Sequence, residues 1–172
     1  MPPKEIQPMK PGHPQYERFQ SAVEKLSHPE AYIREEGVET IDRIGHPAGI
    51  KPLEKALNEP YTAVRWKIVQ AIGKIGHPDG IKPLIEKAIN YELDGTTREY
   101  AAKAINAIIE AIKDEQPEHH AVIARQHINP IDNPKAFSKF YESLAKGEHR
   151  GQPPAWLTTT AKQLKALEGN LK

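Results

Sequence analysis

A ten-residue block recurs in this chain almost unchanged, and that recurrence limits the possible folds more than any other feature. Ile44-Gly45-His46-Pro47-Ala48-Gly49-Ile50-Lys51-Pro52-Leu53 returns 31 residues later as Ile75-Gly76-His77-Pro78-Asp79-Gly80-Ile81-Lys82-Pro83-Leu84, with nine of ten positions identical. The next residues, Glu54-Lys55-Ala56-Leu57, return as Glu86-Lys87-Ala88-Ile89 at an offset of 32, so Ile85 reads as a one-residue insertion. Ahead of the blocks, Ile33-Arg34 pairs with Val64-Arg65 at 31, and Thr97-Arg98 follows 33 further on. Gly12-His13-Pro14 supplies a fainter copy 33 residues before Gly45. A period in this range marks an array of one small supersecondary unit.

Within a unit the apolar spacing is helical. Val64, Ile68, Ala71, Ile72 and Ile75 share one face at 3.6 residues per turn, and Ile33, Gly37, Thr40, Ile41 and Ile44 occupy the same register one unit earlier. In the third unit the register falls on Thr97, Ala101, Ala104, Ile105 and Ile108. Gly45 and Gly76 then end the first helix, since glycine takes the left-handed conformation without steric cost. Pro47 and Pro78 stop it from continuing. A shorter second helix is expected over about 48–57 and 79–89, with Pro52 and Pro83 confining its regular bonding to later residues or kinking its first turn. One such pair cannot bury its own apolar face, so the expectation is an all-α solenoid of stacked antiparallel helix pairs.

These residues resemble a known family. Val-Arg, an Ala/Ile-rich helix, Ile-Gly-His-Pro, Gly-Ile-Lys-Pro-Leu and Lys-Ala-Leu/Ile together look like the short HEAT-like repeat of the phycobilisome-lyase type, in which Gly-Asp-Pro is commoner than Gly-His-Pro. The resemblance covers about residues 28–112 and extends faintly back to Gly12. It implies architecture rather than activity, because such repeats serve adaptors, chromophore lyase subunits, an iron-dependent hydroxylase and DNA glycosylases. The hydroxylase holds its metals with His-Glu dipeptides, and this chain contains none.

The coarse organisation is a Pro-rich flexible tail over 1–12, a solenoid over 13–128 and a C-terminal extension over 129–172. The solenoid comprises a leading helix near 14–26 and three pairs, the third with a longer loop at 91–96 and a partner helix at 118–128. Apolar spacing in the extension gives two further helices. Their role is to cap the exposed end of the array or to dock a partner. The first fourteen residues hold five prolines and three charges, which is no signal peptide, and no run reaches the ~20 apolar residues of a membrane span. The expectation is a soluble cytoplasmic protein.

Lys+Arg is 24 against 23 for Asp+Glu, so the net charge of +1 offers no general attraction to nucleic acid or anionic membrane. With no Cys there is no disulfide, thiolate site or Cys nucleophile. No Gly-x-Ser-x-Gly elbow or phosphate-cradling loop occurs, so the chain reads as no enzyme and calls for no cofactor. Four of eight histidines (His13, His28, His46, His77) directly precede Pro, which is turn punctuation. His46 and His77 are one unit apart, and helices packed at about 8–10 Å keep them from sharing an ion. His120 and His127 lie two turns apart on one expected helix, so no metal site is expected.

Arg34, Arg65 and Arg98 share one register and would form a ladder. The resemblance implies that they brace neighbouring units through acidic side chains and carbonyls, with Glu30, Glu59 and Asp94 nearby, while guanidinium forks also suit a bound carboxylate or phosphate. Trp66 stands where the flanking units carry Glu35 and Glu99, so it either packs beside cationic stems or meets a partner. Trp156 reads as a staple at the start of the last helix. In HEAT-like arrays the second helices line the concave side. There Lys51, Lys55, Lys82 and Lys87 recur with Glu54 and Glu86 between them, a mixed stripe suited to another protein or a multiprotein complex rather than to phosphate. The functional expectation is a non-catalytic scaffold, adaptor or assembly subunit contacting its partner through Trp66 and these lysines. The alternatives are an accessory subunit of a bilin or tetrapyrrole lyase and, more remotely, a duplex nucleic-acid binder.

Overall fold

In the computed structural model, residues 5–88 and 95–115 are described. The partner helix expected at 118–128, the extension at 129–172 with Trp156, the loop residues 91–94, and His119, His120 and His127 all lie outside them. The described residues form six α-helices: α1 (Tyr16–Lys25), α2 (Ala31–Ile44), α3 (Ile50–Lys55), α4 (Thr62–Ile75), α5 (Ile81–Ala88) and α6 (Gly95–Glu115). None of these helices is long and apolar enough to cross a membrane.

The repeated blocks fold alike because they punctuate alike. Gly45 and Gly76 close α2 and α4 in the left-handed region, at φ +64° and +70°. Short 3-10 turns, Pro47–Gly49 and Pro78–Gly80, then lead into α3 and α5. Pro52 and Pro83 are the third residues of those helices, where a backbone N–H has no acceptor within the helix, so neither kinks its helix. The start of the last described helix departs slightly from expectation: α6 already begins at Gly95, so Gly95 and Thr96 lie inside the helix and not in the loop expected over 91–96.

The long helices pack side by side in chain order, α2 against α4 and α4 against α6, while α1, α3 and α5 lie against α2, α4 and α6 respectively. The apolar register puts Val64, Ile68, Ala71 and Ile72 of α4, and Ala101, Ala104, Ile105 and Ile108 of α6, in one core. Val69 and Gly73 are buried as well, because α4 is covered on two sides. A Cβ on Gly73 would stand 2.7 Å from Ala104 Cβ, so this glycine lets α4 and α6 touch almost backbone to backbone.

Gly49 and Gly80 mark the tightest points of the packing. A Cβ on Gly80 would lie 2.6 Å from Ile72 Cγ2, 3.0 Å from Ile108 Cδ1 and 3.7 Å from Ile50 Cδ1. A Cβ on Gly49 would meet Ile41 Cγ2 at 2.5 Å, Ile75 Cδ1 at 3.3 Å and Phe19 Cε2 at 3.9 Å. Ile41 matches Ile72 and Ile75 matches Ile108, so Phe19 of α1 stands where Ile50 of α3 stands. The leading helix therefore occupies a second-helix position, entered through its own Gly12-His13-Pro14 with Gly12 at φ +96°. Over the described part of the expected tail, residues 5–12, this corrects the flexible reading: Met9 is only 6% exposed and joins the core, and Ile6 packs against it. Proline spacing signalled an extended segment but could not reveal that this segment packs Met9 into the core.

Since Ile72 Cγ2 branches from the helix close to the backbone, it cannot swing aside. Gly80→Ala is expected to lower stability by about 1–3 kcal/mol through overpacking. Urea unfolding followed by circular dichroism tests this, and an unchanged midpoint would show that the turn can back away.

Candidate interaction surface

Glu59, in the link between α3 and α4, is gripped from two units. Arg34 of α2 donates to its carboxylate through two nitrogens, Nε to Oε2 at 2.7 Å and Nη2 to Oε1 at 2.8 Å. Arg34 Nη1 also donates to the carbonyls of His28 and Pro29, each at 2.7 Å. Arg65 of α4 takes the other end, donating Nη1 to the Glu59 carbonyl at 2.6 Å and Nη2 to Thr62 Oγ1 at 3.1 Å. The Arg34 guanidinium lies 5.6 Å from the centre of the Tyr61 ring, and the Tyr61 N–H adds a bond to Glu59 Oε1 at 3.0 Å. Arg98, next in register, is half-buried on α6. Glu59 itself is buried, and Arg34 first, with the Tyr61 amide assisting, holds its carboxyl below the usual carboxylate range against the opposing effect of burial.

Trp66 is turned inward to the α4–α6 seam. Its indole Nε1 donates to Thr97 Oγ1 at 3.0 Å, and its ring lies 5.7 Å from that of Tyr100. Arg65 Nε donates to the same hydroxyl at 3.3 Å. Thr97 is fully buried and stands where the other units carry Ile33 and Val64. A hydroxyl in an apolar register was the available signal for this cluster, and the sequence reading did not connect it to the Trp. The α2–α4 seam is instead ionic, with Lys67 between Glu35 and Glu39 and Lys74 on Asp42 at 2.7 Å. Those two carboxylates raise the Lys67 pKa through their hydrogen bonds.

The four repeat-period lysines separate into two kinds. Lys51, Lys55 and Lys82 are exposed on α3 and α5. Lys51 meets Glu54 at 3.3 Å, a solvated pair of little energetic weight. Lys55 and Lys82 make no ion pair or hydrogen bond with another described residue. Lys87 is half-buried and donates to Asn58 Oδ1 at 2.7 Å, which ties α5 to the end of the preceding unit. Burial lowers its pKa, partly opposed by Glu86. Among the described residues, Tyr32 and Tyr61, 66% and 59% exposed, are the large apolar side chains most open to solvent, and neither stood out in the sequence.

The His-Pro pairs share one geometry. Nδ1 of His13, His28, His46 and His77 accepts the N–H two residues on, from Gln15, Glu30, Ala48 and Asp79, at 3.1 to 3.2 Å. Proline has no N–H, so the first donor available to the ring is the residue after it. An Nδ1 that accepts places the neutral ring's proton on Nε2, assigned here from the bonding. A metal at Nε2 would have to displace that proton, and one at Nδ1 would cost the cap. The chemistry of these rings is thus spent on turns.

With this geometry in view, the match to a family becomes interpretable. Residues 19–106, just over half of the chain, match the family of HEAT repeats, and the chain belongs to that family. No curated protein matches it significantly.

Two substitutions probe the site. Glu59→Gln is expected to destabilise by about 1–3 kcal/mol at pH 7, since a buried charge-assisted network loses its acceptor. A carboxyl held below its ordinary value of about 4.3 contributes stability above that value and loses it as pH falls through the folded value. The gap between wild type and Glu59→Gln should therefore shrink from pH 5 to pH 3 in urea titrations. Trp66→Ala should cost about 2 kcal/mol through lost packing on Tyr100 and the lost indole bond to Thr97. Trp66→Phe should recover part of that loss in the same assay.

Proposed function

We propose that this chain is a non-catalytic interaction scaffold or assembly subunit. In this reading it is a solenoid of stacked antiparallel helix pairs whose α3–α5 face engages an acidic patch on another protein. The supporting observation is the exposure of Lys51 and Lys82, one repeat period apart on consecutive second helices, with Lys55 also exposed on the first of them. Their backbones are held by one continuous core, in which Ile50, Leu53, Ile81 and Leu84 are buried. A pre-organised cationic row costs little ordering when it binds, and its rim charges set association rate and choice of partner. Glu54 and Glu86, interleaved with the lysines, favour a mixed-charge protein surface over a phosphate backbone. Membership in the HEAT-repeat family agrees, since such repeats commonly serve as interaction modules. The period of 31 supports the short, phycobilisome-lyase-type subclass, while Gly-His-Pro departs from the Gly-Asp-Pro commoner there.

Trp66 and Lys87 are not assigned to this contact set, because Thr97, Tyr100 and Asn58 already engage them. The test is size-exclusion of the protein from its own source at near-physiological salt, with full-spectrum absorbance and mass spectrometry of co-eluting chains. Charge reversal at Lys51, Lys55 and Lys82 together is expected to weaken the complex about tenfold or more while leaving the urea midpoint unchanged. An intact complex would remove this face from consideration. A visible absorption band would instead favour tetrapyrrole handling, and excess absorbance at 260 nm nucleic acid.

A further inference from the structure

The one position at which the repeated decapeptide differs makes its two Gly-His-Pro junctions chemically unlike. At the second, His77 Nδ1 accepts the Asp79 N–H at 3.2 Å, and Asp79 Oδ2 stands 3.8 Å from the same nitrogen. At the first, Ala48 occupies the Asp79 position, so His46 Nδ1 accepts the Ala48 N–H at 3.1 Å with no carboxylate alongside. In its place stands a second imidazole. The His13 ring lies 5.8 Å from that of His46, edge-on at 69°, with its own Nδ1 accepting the Gln15 N–H at 3.2 Å.

Protonation acts differently at the two places. A proton on Nδ1 abolishes the acceptor and leaves a backbone N–H facing an imidazolium. At the second junction the Asp79 carboxylate stands 3.8 Å from the same nitrogen, a counter-charge that the first junction lacks. At the first junction both rings lose acceptors, and two like charges arise side by side. Other charged groups on the surrounding elements do not relieve this. Asp42 of α2 is bound to Lys74 of α4, Lys51 of α3 pairs with Glu54, and Lys10, Glu17 and Arg43 are exposed. Among the described residues, His13 is the ionisable side chain whose ring stands against that of His46.

We propose that the His13–His46 pair is an acid-sensitive latch holding the leading unit, residues 5–25, to the rest of the array. The Ala48/Asp79 difference confines the sensitivity to that junction. Burial first, and the charge of His13 second, lower the His46 pKa from the ordinary imidazole value of about 6.5. As pH falls, the opened state therefore takes up its proton before the closed one does. Stability at this junction is complete above about 6.5 and is lost as pH falls through the closed-state value. Opening would withdraw Met9, Phe19 and Ala22 from the core, and with Phe19 the contact over Gly49.

Amide hydrogen exchange on the full chain at pH 7.5 and 5.5, corrected for intrinsic rates, tests the proposal. Protection of the Ala48 amide and of α1 is expected to fall, by up to about tenfold, while that of Asp79 and α5 holds. Ala48→Asp supplies the missing carboxylate and should abolish the acid loss. Asp79→Ala should create it at the second junction, a result that decides the matter even where Ala48→Asp does not fold. Equal loss at both junctions, no loss at the first, or an Asp79→Ala variant whose second junction ignores acid would overturn the latch.

Discussion

Everything in this fold depends on how closely a turn can approach a helix. At Gly49 and again at Gly80 the chain presses so near an isoleucine of its own unit that a single methyl would collide, at 2.5 and 2.6 Å. The same glycine touches the next long helix through Ile75 or Ile108, and the preceding short helix through Phe19 or Ile50. Three consecutive units therefore meet at one backbone atom. A unit of about 31 residues is too small to close a core. These contacts let each unit borrow its neighbours' apolar faces, and the result is a single continuous cluster from Met9 to Ile112.

Polar chemistry joins the units around that apolar centre in three different ways. Glu59 is held by Arg34 through its carboxylate and by Arg65 through its carbonyl, so one residue ties α2 and α4 to the link between them. The α2–α4 seam is closed by lysine–carboxylate pairs, and the α4–α6 seam by Trp66, Thr97 and Tyr100. Successive seams of one array thus differ in chemistry while sharing geometry. The ionic seam is screened by salt and the aromatic one is not. What remains outward on α3 and α5 is the lysine row, and its usefulness as a binding surface follows from the rigidity beneath it.

Much of the fold was legible because repetition multiplies weak signals. A lone glycine or His-Pro pair says little, but Gly-His-Pro at 12, 45 and 76 identifies three equivalent helix junctions, and all three glycines are left-handed. The Val-Arg register likewise located α2, α4 and α6 and their buried faces. Less of the candidate site was legible. Trp66 and Lys87 were legible as exceptions or repeats but not as residues facing inward, because their partners Thr97 and Asn58 come from neighbouring units. The choice of Glu59 by Arg34, over the nearer Glu30, required knowing how the α3–α4 link folds back.

By itself the sequence determined the unit: its helices, its left-handed glycines, its proline-punctuated turns and the register of its apolar faces. These follow from local steric and hydrogen-bonding rules that act within a few residues. Only the tertiary structure decided how the units use one another. It brought Met9 into the core, gave α1 a second-helix position, turned Trp66 onto Tyr100 and set His13 against His46. Each of those outcomes depends on contacts between residues about 30 apart, where the deciding quantity is the space left between packed helices, and no local pattern encodes that space.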